Sequence, residues 1–251
     1  MIVTDALAAM RALPIRPASD LLAPGPLLVL ASHPDDESLG CGGLLAEAAA
    51  SPTPPFVLVL TDGTGSHPNS RAYPAPRLRA ARQREAQNAI AALGLGPDRI
   101  AFFGLRDTES PVSGPAFDAA VTAIASLAMR LGAATLLSPW QHDPHCDHES
   151  AHLMGVAAAE EAGLRHFAYP VWGWTLPPDM PLQFPLPTGM RIDISGHLDR
   201  KRAAIAAHRT QHTGTIIDDP GGFTLPAGFL ALFDGPYETV LDIQSGQPAR
   251  R

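Results

Sequence analysis

The amino-acid sequence predicts a three-layer α/β fold with a mainly parallel central sheet. Three observations carry this reading. Short apolar runs alternate with longer segments of helical period. The runs are continuously apolar, as expected of strands buried on both faces by crossover helices. The clusters of polar, chemistry-bearing residues fall directly after those runs, where ligands bind in open parallel sheets.

Residues 1–13 read as a short amphipathic helix ended by Pro14, without the basic segment and apolar run of a leader peptide. Residues 27–31 (LLVLA) predict the first strand and 39–50 a helix. Residues 56–60 (FVLVL) predict the second strand, and 77–93 a helix stopped at Gly94. The third strand spans 99–103, and a helix over 117–131 stops at Gly132. Residues 135–137 open the fourth strand, 149–162 form a helix stopped at Gly163, and 167–169 begin the fifth strand. Beyond Trp174 the pattern weakens. Residues 175–189 are proline-rich and predict a loop or lid. A strand is expected over 191–194, a helix over 198–208, a loop over 218–228, a late strand over 238–242 and a frayed tail over 245–251. No repeat and no linker divides the chain, so 1–251 reads as a single domain.

Composition narrows the function classes. Hydrophobic residues make up 45% and charged residues 17% of the chain, which supplies a core and excludes a disordered polymer. The net charge is −7 with no Lys/Arg run, which argues against a nucleic-acid partner. No stretch is long and apolar enough to predict a membrane span. Two cysteines, Cys41 and Cys146, are no disulfide framework. The expected location is therefore cytoplasmic, and a homo-oligomer is left open.

Four clusters follow the first four strands: residues 32–37 (SHPDDE), 61–64 (TDGT), 106–108 (RDT) and 140–148 (WQHDPHCDH). The topology predicts all four on one sheet edge. The first packs one imidazole and three carboxylates into five residues, which costs energy unless a cation or a proton relieves it. A solvated acidic loop accounts for that segment about as well as a metal. The second observation shifts the balance: four of the ten histidines fall between His142 and His152. Two ligand-bearing segments at one sheet edge suit a catalytic metal with three protein ligands. Zn²⁺ fits the His and carboxylate donors, and Fe²⁺ also fits.

The segment ASHPDDE (31–37), followed by GCGG (40–43) and by HCDH (145–148), resembles the LmbE/PIG-L family of zinc-dependent N-acetylglucosaminyl deacetylases. Ser32 stands where the family motif has alanine, a small-for-small change. The resemblance extends from about Leu28 to about Gln211 and implies a Rossmann-like three-layer fold. It implies that His33, Asp36 and His148 bind the zinc and that Asp35 is the general base. It also implies that His145 stabilises the oxyanion or protonates the leaving amine, with Asp147 holding the His145 tautomer. Arg71 and Asp107 match positions that bind sugar hydroxyls. The implied substrate is a small amino sugar or glycoconjugate losing an N-acetyl group. One departure stands out: some relatives have a tyrosine two residues before His145, where this chain has Asp143.

Other residues read more plainly. Glu37 is expected to brace its loop, and Gly40, Gly42 and Gly43 to allow close helix–strand packing. No G-x-G-x-x-G fingerprint supports a dinucleotide site. Cys41, Cys146, His142 and His152 read as packing residues. Trp172 and Trp174 are equally suited to a sugar-stacking wall or to the core, and His208 reads as a helix-surface residue, with pocket lining as the alternative. Two alternatives to the amino-sugar deacetylase are a zinc amidase acting on a non-sugar acylamide and a sugar- or nucleotide-binding module without turnover.

Overall fold

The computed structural model describes residues 1–22, 25–182 and 185–243. The expected frayed tail lies outside these residues. Among them the elements run α1 (Val3–Ala12), β1 (Ile15–Arg16), α2 (Ser19–Leu22), β2 (Leu27–Ala31), α3 (Asp36–Ala48), β3 (Phe56–Thr61), α4 (Ala75–Ala92) and β4 (Ile100–Leu105). They continue with α5 (Pro115–Leu131), β5 (Thr135–Pro139), α6 (Cys146–Ala162), β6 (Arg165–Tyr169), β7 (Gly189–Asp193), α7 (Leu198–Ala207), α8 (Arg209–His212), α9 (Ala227–Leu230) and β8 (Tyr237–Asp242). These strands join one 8-stranded sheet in the order β1-β7-β8-β6-β5-β2-β3-β4. The pairings are parallel except where β8 runs antiparallel to β6 and β7. The fold is a mixed α/β three-layer arrangement, as the sequence predicts.

Period-2 alternation along β2 builds both cores. Leu27, Val29 and Ala31 face a cluster shared with α3, α4 and α7, including Leu44, Ile90 and Ala204. Leu28 and Leu30 face the opposite cluster, supplied by Ile124 of α5 and Met154 of α6. All five β2 residues are buried, which explains the unbroken apolar run.

The glycines of α3 allow close packing, as expected. A Cβ at Gly40 would collide with the ring of Tyr169, and one at Gly43 would overlap Ile194. Tyr169 is fully buried, and its hydroxyl donates to the Leu30 carbonyl at 2.7 Å, so the ring has nowhere to retreat. Gly40→Ala is expected to destabilise the fold by about 3 kcal/mol or more through overpacking. Chemical denaturation measures this, and a change within about 0.5 kcal/mol would show that the helix shifts freely.

Several boundaries differ from expectation in a consistent direction. α3 begins at Asp36 and α6 at Cys146, each three residues before the apolar periodicity starts. Helix N-termini tolerate acidic side chains, so polarity there does not mark a loop. Of the proline-rich segment after Trp174, expected as a loop or lid, residues 176–182 run as a loop packed beneath α1. Pro178 and Met180 accept backbone N–H groups of Thr4 and Val3, and Leu176 and Leu182 pack with Met10 in a third cluster under α1.

His152 of α6 is buried and His166 of β6 is half-buried beside it, with ring centroids 6.0 Å apart. His152 bonds to the Pro139 carbonyl and His166 to the Ser138 hydroxyl. Burial pushes their pKa values down to about 4 and about 3. Both are neutral when folded but take up protons near pH 6.5 when unfolded. Their stability contribution is therefore present above about 6.5 and lost as pH falls toward about 4. Urea unfolding of the wild type and the His152→Asn, His166→Gln double variant at neutral and mildly acidic pH tests this. The wild type is expected to lose ground to the variant on acidification; a constant difference would sink the idea.

Candidate active site

β2 is flanked by β3 on one side and β5 on the other, so chain direction around the sheet reverses between β2 and β5. That switch point opens a crevice beyond the strand carboxyl ends. The segment after β2 meets the segment after β5 there.

Three donors converge in this crevice. His33 Nδ1 lies 3.4 Å from Asp36 Oδ2, and His148 Nε2 lies 3.3 Å from the same oxygen. Asp36 and His148 are 1% and 0% exposed. The far nitrogens of both rings are engaged. His148 Nδ1 meets Asp143 Oδ2 at 3.0 Å. His33 Nε2 meets Asp147 Oδ2 at 3.0 Å and Asp107 Oδ1 at 3.2 Å. Donating to those carboxylates leaves the lone pairs of His33 Nδ1 and His148 Nε2 directed at Asp36. His148 Nε2 is buried and makes no hydrogen bond. An orphaned imidazole lone pair beside a buried carboxylate and a second imidazole fits a metal ion, and such carboxylate–His pairs orient metal ligands. The three residues form one potential metal-holding group.

The carboxylates have separate surroundings. Asp147 accepts the Thr108 N–H at 2.8 Å and the Ser110 N–H at 3.1 Å. Burial works against its charge, but the His33 bond and these donors hold its carboxyl far below the usual range. Asp143 is wrapped by the turn after β6 and accepts N–H groups of Val171, Trp172 and Gly173 at 2.9, 3.0 and 2.7 Å. It thus faces the His148 ring and this turn rather than the cleft.

Asp35 sits at the N-cap of α3 with φ 153° and ψ −26°, a conformation that costs a non-glycine residue about 1–3 kcal/mol. Two partners hold it there. Its N–H donates to Glu37 Oε2 at 3.1 Å, and its Oδ2 accepts from Arg82 Nη2 at 3.0 Å. Arg82 also donates to the carbonyls of Pro34 and Gly63, tying the loops after β2 and β3 together. Burial pushes the Asp35 carboxyl up to about 6, against the pull of the Arg82 charge. Glu37 braces the loop as expected. Its Oε1 meets His208 Nε2 at 3.0 Å, and His208 is 1% exposed. The helix-surface reading of His208 is thereby corrected: α7 ends just before it, and its side chain turns inward to a buried carboxylate.

A cleft of about 250 Å³ opens onto the metal-holding group. Its polar lining includes His33, Asp35, Asp36, Arg82, Asp107 and His145. His145 Nδ1 accepts the Asp147 N–H at 3.2 Å, which leaves Nε2 to carry the proton of the neutral ring. Burial and the neighbouring His33 and His148 push its pKa down, so the neutral form is favoured. The Asp147 carboxylate, expected to brace His145, lies 3.8 Å from His145 Nδ1 and bonds to His33 instead.

Asp107 bridges His33 and the Gly65 N–H at the cleft edge. Arg71 is exposed and does not line the cleft; its backbone N–H donates to Asp218 Oδ2. Trp172 lines the cleft, whereas Trp174 packs against the core. His142 stacks edge-on against Trp140, and both cysteines are free. Arg82, Asp143 and the Glu37–His208 pair are the participants that sequence spacing did not single out as site residues. Their signal, polar side chains buried by the fold, emerges only once the burial pattern is known.

Known proteins share this fold and sequence pattern. A family model described as PIG-L: GlcNAc-PI de-N-acetylase matches residues 28–159. The 1D-myo-inositol 2-acetamido-2-deoxy-alpha-D-glucopyranoside deacetylase of Rhodococcus opacus is 30% identical, with 74% of this chain and 82% of that protein aligned. Among solved structures, a conserved protein from Thermus thermophilus superposes with a TM-score of 0.62 at 26% identity, over 88% of this chain and 96% of that one. N,N'-diacetylchitobiose deacetylase from Pyrococcus horikoshii superposes with a TM-score of 0.62 at 19% identity, over 89% and 84%; this supports the fold alone. The family match spans the segments that carry His33, Asp35, Asp36 and His148, and the chain belongs to the PIG-L (LmbE-like) deacetylase family.

Proposed function

We propose that this protein is a zinc-dependent N-deacetylase that removes the acetyl group from an N-acetylglucosamine-type amino sugar or glycoconjugate. The observation that carries the proposal is the convergence of His33 Nδ1, His148 Nε2 and Asp36 on one point of the cleft, with Asp35 beside them. The relatives' amino-sugar substrates supply the substrate class. Residues 1–251 are read as one domain, a reading supported by β7 and β8 joining the same sheet as the other strands. Two free cysteines suit a cytoplasmic location, and no helix among the described residues is long and apolar enough to cross a membrane.

His33, Asp36 and His148 hold the metal. Bound there, zinc supplies a Lewis acid for the amide carbonyl and makes water acidic enough to attack at neutral pH. Asp35 takes the proton of the attacking water; a carboxyl raised to about 6 is matched to that task. Arg82 fixes the Asp35 carboxylate and donates two further hydrogen bonds to the loop carbonyls of Gly63 and Pro34. His145, with its proton on Nε2, donates a hydrogen bond to the oxyanion in the place where some relatives use a tyrosine. The protonated Asp35 then returns its proton to the leaving amine. Asp107 is placed to meet a sugar hydroxyl at the cleft edge. Arg71 reaches substrate only if the substrate extends past the cleft.

Acetate release from a panel of N-acetylated sugars and N-acetylated amino acids, with metal content measured on the same preparation, tests the proposal. Turnover of amino sugars by zinc-loaded protein is expected. Turnover confined to acylated amino acids would transfer the site to the amidase reading.

A further inference from the structure

The cleft is not uniformly polar. Leu39, Trp172, Phe223 and Leu225 supply an apolar side to its lining. Phe223 is 43% exposed and stands at the cleft mouth beside the other three, so the exposed apolar surface there is contiguous rather than a lone side chain.

This wall is built rather than incidental. Phe223 meets Trp172 edge-to-face at 5.6 Å, Trp172 stacks on Phe229 at 4.1 Å and 16°, and Phe229 meets Phe233 at 5.1 Å. Four rings thus run from the cleft mouth to the core, where Phe229 and Phe233 are buried. The loop carrying Phe223 is pinned. The Phe223 N–H donates to the Ser66 carbonyl, and the Leu225 N–H to the Gln211 carbonyl, both at 2.6 Å. A Cβ at Gly222 would collide with the His67 ring, so the loop lies hard against its neighbour. Asp218 and Asp219 accept further N–H groups from residues 69, 71 and 72.

The polar residues beside the wall are already occupied. Gln211 Nε2 donates to Ser66 Oγ and Thr210 Oγ1, and Ser66 Oγ donates to the Gly63 carbonyl. Few donors are left there for the hydroxyls of a second sugar.

We propose that Phe223 and Trp172 form a specificity wall for an apolar group, of the size of an aromatic ring, attached to the reacting amino sugar. The preferred substrate is then an N-acetylated amino-sugar glycoside with an apolar aglycone, in preference to a free sugar or a disaccharide. This rests on the deacetylase reading above. An apolar ring buried between a held tryptophan and a held phenylalanine gains contact area at little ordering cost, because the wall is formed in advance.

The test uses the zinc-loaded full chain. Acetate release is measured from 4-nitrophenyl N-acetyl-β-D-glucosaminide, N-acetylglucosamine and N,N'-diacetylchitobiose. Binding of 4-nitrophenyl β-D-glucoside, which lacks the amide, is measured by calorimetry. The aryl substrate is expected to exceed the free sugar by about tenfold or more in kcat/KM. Phe223→Ala is expected to erase that ratio through KM and to weaken aryl glucoside binding by about fivefold or more. Phe223→Leu, which keeps apolar bulk on the loop, is expected to fall between. Preference for the disaccharide, or unchanged aryl binding in both variants, would overturn the wall. Aryl binding that depends on Phe223 without turnover of any substrate would remove the deacetylase reading and leave the wall standing.

Discussion

Asp35→Asn is expected to retain bound zinc and to lose about two to four orders of magnitude in kcat, with KM changed little. The substitution keeps the shape of the side chain and leaves an amide oxygen to accept from Arg82 Nη2, which lies 3.0 Å from the carboxylate. It removes the negative charge and, with it, the capacity to take a proton. The metal-holding donors belong to other side chains, and the Asp35 backbone N–H still reaches Glu37. Metal analysis and steady-state kinetics on the same preparation separate base chemistry from metal binding. Near-normal turnover would sink the assignment of Asp35 as the base. Loss of zinc together with activity would move Asp35 into the metal-holding set.

His148→Ala is expected to abolish both activity and stoichiometric zinc. The ring is fully buried, its Nε2 faces Asp36 and its Nδ1 is spoken for by Asp143. Removing one of three ligands should weaken zinc by well over the ~10–100-fold typical of changes to a ligand's orienting partner. Asp143→Asn provides that milder comparison, because it alters the orienting partner and keeps the ligand. The expected order of zinc affinity is wild type, then Asp143→Asn, then His148→Ala. His33→Ala should fall with His148→Ala. Full zinc occupancy in His148→Ala would show that the metal lies elsewhere. The neighbouring group of His33, Asp107, His145 and Asp147 is where such a metal would be sought.

The same site shows why Asp143 cannot take over the role of the relatives' tyrosine. Three backbone N–H groups and an imidazole surround its oxygens, and the turn at Gly173 has no room for a Cβ beside it. Its work is to orient His148. In the proposed mechanism oxyanion stabilisation falls to His145, whose Nδ1 accepts the Asp147 N–H at the N-terminus of α6.

The sequence by itself determined the alternation of strands and helices, the clustering of polar residues at one sheet edge and the candidates for the metal-holding group. These follow from local rules. Continuous apolar runs such as 27–31 mark strands buried on both faces, and HPDDE and HCDH place their ligands within one turn of a helix start. Tertiary structure decided the rest, because a buried charge must find its partner wherever the fold supplies one. Arg82 reaches Asp35 across 47 residues and His208 reaches Glu37 across 171. No periodicity marks either pairing. The antiparallel placement of β8, the packing of 175–182 beneath α1 and the aromatic wall at Phe223 depend in the same way on contacts between segments distant in sequence. Spacing named the candidate ligands, but only the fold determined which nitrogen of each imidazole turns to Asp36 and which to another carboxylate, since that choice is made by Asp143, Asp147 and Asp107 from outside the triad.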